Sequence, residues 1–128
     1  VVPLGHTLTF TATVKNTGRV PLRTTGPPPG TTYTSSENYD TKGFYQEPGA
    51  FRIGLDYEGN SIGREYPYRW ALGEKGYLPP GEEVTVVGHV KIVDKPPYYE
   101  PYFWLGLLHE RVRKVNDRYN PTQITIGY

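Results

Sequence analysis

Residues 78–93, LPPGEEVTVVGHVKIV, decide how this chain folds. The stretch opens on a Pro-Pro-Gly turn and a pair of glutamates, and then alternates without a break. Val84, Val86, Gly88, Val90 and Ile92 fall on one side; Thr85, Val87, His89, Lys91 and Val93 fall on the other. A period of two with β-branched residues on both sides predicts a half-buried strand and not a helix. The apolar side needs a second sheet to cover it. The rest of the chain supplies that cover.

Upstream, residues 6–14 alternate in the same way, with Leu8, Phe10, Ala12 and Val14 inward and threonines outward. The turn Lys15-Asn16-Thr17-Gly18 ends this strand, because Asn and Gly tolerate positive φ. Residues 1–3 read as a short edge strand cut by Pro3, and residues 20–24 as a weak strand interrupted by Pro21. The Gly26-Pro27-Pro28-Pro29-Gly30 segment is polyproline-like and unsuited to a ladder. Residues 31–50 form a long polar and aromatic excursion, whose Tyr33, Tyr39, Phe44 and Tyr45 require something to pack against.

Further along, Phe51, Ile53, Leu55 and Tyr57 make an inward set, with Arg52, Gly54 and Asp56 opposite. Residues 66–72 supply a companion strand in which Tyr66, Tyr68 and Trp70 share one face. Residues 94–101 are a proline-stiffened crossover. Residues 102–115 and 123–126 are the last two strands, joined across 116–121, with a β-bulge near Gly106. The charges of residues 107–115 suit an exposed helix, but the preceding Phe103, Trp104 and Leu105 favour a strand. The expectation is an all-β chain forming one domain over residues 1–128. Its architecture is an antiparallel two-sheet immunoglobulin-like sandwich of about seven to nine strands, with a long loop near residues 26–50.

The totals agree with that reading and exclude some functions. A chain of 128 residues is long enough to bury a core of its own. Its 15 Gly and 13 Pro would suggest disorder were the apolar residues not arranged in alternating runs, so they mark stiff turns. A net charge of +1 gives no electrostatic case for nucleic acid or an anionic membrane. No apolar run is long enough to insert in a bilayer. Without cysteine there is no disulfide or thiolate chemistry, and the absence of Cys and Met with proline-stiffened loops suits a thermophile source. The start at Val1, without a signal peptide, fits a processed subunit or an excised domain.

Three pieces carry a family resemblance. GHTLTFTATVKNTG (residues 5–18) resembles the opening strand of immunoglobulin-like modules in bacterial envelope proteins. Residues 78–92 resemble their later L-x-P-G-E/Q-x-V-T-V strand, and residues 103–126 their closing hairpin. CARDB-type adhesion repeats and the four-tryptophan domain of autophagy receptors share this pattern. The resemblance covers about half the chain, and residues 19–77 have no counterpart in it. With only two tryptophans, the four-tryptophan signature is incomplete. What the resemblance implies is a non-catalytic part of a larger exported protein, in the extracellular space or cell envelope.

The search for chemistry supports that implication. His6, His89 and His109 are far apart, and no G-x-S-x-G turn occurs. His109-Glu110 lacks the H-E-x-x-H frame of a zinc site and reads as polar strand positions. Glu37, Asn38 and Asp40, or Asp56, Glu58 and Asn60, are the nearest approach to a calcium loop but do not follow its spacing. Carboxylate pairs for glycoside hydrolysis would have to come from Asp40, Asp56, Glu58 or Glu65. No cofactor or metal is implied. The unusual feature is 12 Tyr. Trp70 and Trp104 read as core, whereas tyrosines in loops suit contact surfaces. The candidate binding residues are Tyr39, Tyr45, Tyr66, Tyr98, Tyr99 and Tyr102. The leading expectation is a structural or protein-interaction module associating with copies of itself or neighbouring domains, with residues 1–4 as an edge open to a partner strand. A carbohydrate-binding module stacking glycans on Tyr66, Tyr98, Tyr99 and Tyr102 is the alternative, and a hydrolase the third.

Overall fold

The computed structural model describes residues 2–3, 5–60, 65–93, 102–123 and 126–127, and among them the chain is all-β with no helix. The strands in order are β1 (Val2–Pro3), β2 (Thr7–Lys15), β3 (Leu22–Arg23), β4 (Thr32–Thr34), β5 (Phe51–Tyr57), β6 (Tyr68–Ala71), β7 (Tyr77–Leu78), β8 (Glu83–Lys91), β9 (Tyr102–His109), β10 (Arg113–Gln123) and β11 (Ile126–Gly127). They form a four-stranded sheet ordered β10-β9-β5-β6 and a three-stranded sheet ordered β2-β8-β4. Two small pairs, β3-β7 and β1-β11, complete the pattern.

The organising strand behaves as its alternation predicts. β8 pairs antiparallel with β2 from Thr7↔Lys91 to Lys15↔Glu83 without a register shift. Val86, Val90 and the following Ile92 are buried, and so are Leu8 and Val14 on β2. They face Ile53, Leu55, Tyr68, Trp70 and Phe103 of the four-stranded sheet across one shared core. Within that core the Trp70 ring packs directly on Gly88. A Cβ at Gly88 would lie 2.5 Å from Trp70 Cζ2, so the absent side chain makes the space for the indole. Trp70 Nε1 donates to Thr31 O at 2.9 Å, which satisfies the one polar atom the ring buries.

Several local expectations are corrected. The excursion 31–50 is not loop throughout, because Thr32–Thr34 pair in parallel with His89–Lys91 as β4. The last hairpin turns at residues 110–112 instead of 116–121: Val112 N–H donates to His109 O, and Arg111 takes φ 58°. Residues 116–121 therefore lie inside β10. β9 pairs with β5 without a shift through Gly54↔Gly106, and the irregularities fall on β10, between Lys114 and Thr122. Val2–Pro3 is a strand as expected, and it pairs in parallel with Ile126–Gly127. Most consequentially, Arg52, Gly54 and Asp56 do not face solvent. All are buried, so β5 and its neighbour β6 are covered on both faces.

Tyr66 explains how the second face closes. It does not continue the Tyr68 and Trp70 face; at φ 46° it turns to the opposite side and packs with Trp104 and Leu108. A Cβ at Gly54 would meet Tyr66 Cβ at 2.8 Å, and one at Gly106 would meet Tyr66 Cζ at 2.6 Å. The tyrosine thus lies in a bay made by two paired glycines. Left-handed backbone at a bulky residue costs of the order of 1–3 kcal/mol. Asp56 offsets that strain by accepting from Tyr66 N at 3.0 Å, from Tyr57 N at 2.8 Å and from Asn60 Nδ2 at 2.8 Å.

At the edge of β6, Tyr33 from β4 stands in for a neighbouring strand. Its hydroxyl donates to Arg69 O at 2.7 Å and accepts from Arg69 N at 3.3 Å. Burial pushes this phenol from 10 to about 12, against the hydrogen bond and the nearby guanidinium charges. The folded value lies above the unfolded one, so the neutral phenol favours the fold fully below pH 10. That contribution declines between about pH 10 and about pH 12, by about 2–3 kcal/mol. In Tyr33→Phe this share of the alkaline loss in unfolding free energy disappears. Separately, Gly88→Ala forces the core apart at Trp70 and costs about 1–3 kcal/mol, seen as a lower urea midpoint with unchanged slope.

Candidate functional site

Among the described residues, buried charge gathers on the outer face of the four-stranded sheet, opposite the shared core. Strand parity puts Arg52 of β5 and Arg69 of β6 there, and their partners across the ladder are Ala71 and Gly54. Glu110 follows β9 and extends its ladder, donating its N–H to Ala50 O at 2.7 Å and accepting from Gly49 N at 2.9 Å. That main-chain clamp delivers the carboxylate between the two guanidiniums. Arg52 and Glu110 are 1% and 2% exposed. Arg52 Nη1 lies 2.8 Å from Glu110 Oε1, an ion-pair distance without hydrogen-bond alignment, and Arg69 Nη1 donates to Oε2.

Glu110 alone cannot satisfy the donors of two guanidiniums, and the other carboxylate on this face, Asp56, is taken up by Tyr57, Asn60 and Tyr66. Main-chain carbonyls supply the remaining acceptors. Arg52 donates from Nε to Thr25 O at 2.7 Å, from Nη1 to Phe44 O at 2.9 Å and from Nη2 to Tyr45 O at 3.0 Å. Arg69 donates from Nε to Tyr66 O and from Nη2 to Glu65 O, both at 2.9 Å. Burial pulls the Arg52 guanidinium below its usual value, and the Glu110 charge opposes the shift. The Tyr39 ring covers Arg69, with the guanidinium carbon 4.2 Å from its centroid.

The long loop is thereby fastened to the sheet and braced within itself. Asn38 Oδ1 accepts from Asp40 N and Thr41 N, and Glu37 accepts from Thr34 N at 2.7 Å with Lys42 Nζ at 3.5 Å. The Thr34 N–H, more than Lys42, holds the Glu37 carboxyl below its usual range. Gln46 Nε2 donates to Tyr39 Oη at 2.9 Å.

A recess of about 240 Å³ opens beside Arg69, with Gln46, Glu65, His109 and Lys114 on its wall. Its rim carries the Lys114–Glu65 ion pair at 2.8 Å, and His109 stacks on Phe51 at 4.1 Å. A second recess of about 420 Å³ is lined by Thr24, Gly26, Pro28, Gly73 and Glu74. Among the described residues no three His, Asp or Glu side chains converge as metal ligands. The oxygens of Asp56 brace the Tyr66 turn.

The tyrosines singled out in the sequence are separated by this architecture. Tyr39 and Tyr66 are buried parts of the second layer. Tyr45 is 68% exposed while its carbonyl holds Arg52, near the His109 end of β9; Tyr102, 42% exposed, begins the other end of that strand. Tyr98 and Tyr99 lie outside the described residues. Tyr45 and Tyr102 are thus the exposed ones among the described candidates, at opposite ends of β9, and Tyr66 is closed to a sugar ring. Arg52, Arg69 and Glu110 were not legible as a unit. The signals were two glycines inside strand patterns and a long loop lacking a surface to pack on. No protein-family model, curated protein or solved structure matches the chain.

Removing one member of such a group leaves buried charge uncompensated. Glu110→Gln should cost about 3–5 kcal/mol in chemical denaturation. Amide exchange at Phe44 and Gly49 should accelerate beyond that of the β2–β8 ladder, because the second layer loses its anchor first.

Proposed function

We propose that the chain is a non-catalytic structural and protein-interaction module of an extracellular or cell-envelope assembly. It is built on an immunoglobulin-like sandwich and associates with copies of itself. The observation carrying this reading is the use made of the buried charges. The guanidinium nitrogens of Arg52 and Arg69 hold carbonyls of the segments between strands or face Glu110, so the polar chemistry of the second layer serves rigidity. A rigid layer in turn presents fixed side chains at low entropic cost to an interface. Phe44, Tyr45 and Val112 stand at least one-third exposed around that layer. The resemblance of residues 5–18 and 78–92 to envelope modules supports the setting, as does the facing of β10-β9-β5-β6 by β2-β8-β4.

The test is the mass of the intact chain by light scattering as concentration rises into the high micromolar range. The expected result is a climb from the 14.5 kDa of one chain towards twice that value, with no specific retention on immobilised glycans. A mass that stays at one chain throughout overturns the reading. So does glycan retention that Tyr102→Ala abolishes.

A further inference from the structure

The exposed strand edges differ in how they are closed. β6 is four residues long, and its outer main chain is taken by Tyr33 Oη and by Pro27 O, which accepts from Ala71 N at 2.8 Å. β10 pairs irregularly with three register shifts and carries Pro121. β4 has three residues. Short length, bulges, proline and side-chain caps are the devices that keep edges from pairing with another chain. β2 has none of them. It runs nine residues, in unbroken register with β8, with no proline and a single charge at its end, Lys15.

The hydrogen-bond parity of β2 follows from its ends. Asn16 N donates to Glu82 O at 2.9 Å, and Ile92 N donates to His6 O at 2.9 Å. In an antiparallel ladder, bonded pairs alternate along the strand. Leu8, Phe10, Ala12 and Val14 therefore bond to β8, and Thr7, Thr9, Thr11, Thr13 and Lys15 direct N–H and C=O away from it. Those five residues are exposed, and among the described residues no main-chain group pairs with them. On the core side, Phe10 and Ala12 are only partly buried, so the shared core is unfinished at this edge.

We infer that β2 is the self-association surface, pairing antiparallel with β2 of a second copy about a two-fold axis through Thr11. The inference rests on the self-association reading above and names its surface. A ladder forms in any register that sets outward-bonding residues opposite one another, and of these the one centred on Thr11 gives the longest overlap of Thr7–Lys15 with itself. About that centre Thr9 meets Thr13, Thr7 meets Lys15, Leu8 meets Val14, and Phe10 meets Ala12. Threonine thus falls against threonine on the outer face, and large against small apolar residues on the inner face. Such cross-strand pairs are the favourable ones. The sequence of the strand is its own complement, which is what an isologous contact requires. The two three-stranded sheets become one continuous sheet.

Three variants of the full chain test this. Thr11→Pro removes the outer donor at the axis and no β2–β8 bond. Thr11→Lys and Thr11→Glu each place like charges side by side across the axis. The wild type should dimerise, and Thr11→Pro should stay at single-chain mass. Each charged variant should associate several-fold more weakly. An equimolar mixture of Thr11→Lys and Thr11→Glu should form mixed dimers by native mass spectrometry, weakening as salt rises. The fluorescence of Trp70, buried on Gly88, reports that each variant is folded; if Thr11→Pro is not, the charged pair decides. Dimerisation at wild-type strength in the charged variants, with no preference for the mixed dimer, overturns the β2 surface and leaves self-association standing. A monomeric wild type sinks both.

Discussion

The second layer of this protein depends on one buried carboxylate held between two arginines. Moving an ion from water into a protein interior costs several kcal/mol, and the Coulomb attraction of a pair rarely returns more than that. Arg52, Glu110 and Arg69 are therefore a poor source of net stability. What they supply is position. Glu110 is fixed by two main-chain bonds to residues 49 and 50, and it fixes both guanidiniums. Arg52 then gathers the carbonyls of Thr25, Phe44 and Tyr45, drawn from two separate stretches of chain. A hydrophobic trio would hold the same volume but would bind no carbonyls, and the polar main chain of residues 44–45 would lack donors.

The layering follows from where side chains are missing. Gly88 admits Trp70 between the sheets, while Gly54 and Gly106 admit Tyr66 on the far side of the same sheet. Glycine inside a strand weakens it for want of packing and backbone restraint. Here each is repaid by an aromatic ring pressed to the backbone. The Tyr66 bay and the Arg52 anchor sit on one face, so the ring and the loop together convert an exposed sheet face into an interior. The strain at Tyr66 is local to that conversion and is held by the Asp56 carboxylate.

The alternating strands were legible because one period governs them. The 78–93 and 6–14 stretches have one wet face and one dry face, and the pattern of residues matches the pattern of burial. β5 was half legible. Phe51, Ile53, Leu55 and Tyr57 identify the core side, but Arg52 and Asp56 look like solvent residues until long-range partners are known. Glu110 and Arg69 lie 41 residues apart, and no local rule joins them. Two tyrosines are hard to place for a related reason: Tyr39 looks like a loop aromatic and Tyr66 like a strand partner of Tyr68 and Trp70, yet both are buried over the charged layer, which no local pattern announces. The hairpin turn was misplaced because Asn116 and Pro121 are turn residues, whereas Glu110 and Arg111 are not.

These features bear on how the molecule meets others. β5 and β6 are buried on both faces, and β2 has one exposed face; in both sheets the main-chain groups left to pair lie along the edges. Where β6 ends the four-stranded sheet, a tyrosine hydroxyl and a proline carbonyl occupy the row of donors and acceptors. The structure therefore closes an edge with side chains where the chain itself provides a neighbour. β2 has no such neighbour among the described residues, and its sequence contains no substitute for one. An edge left long, even and nearly uncharged beside others that are capped is a difference in physical kind, since every additional paired residue adds main-chain bonds that water would otherwise satisfy. Rigidity in the charged layer and openness at β2 are then complementary: the first fixes the shape of one copy, and the second allows that shape to be continued by the next.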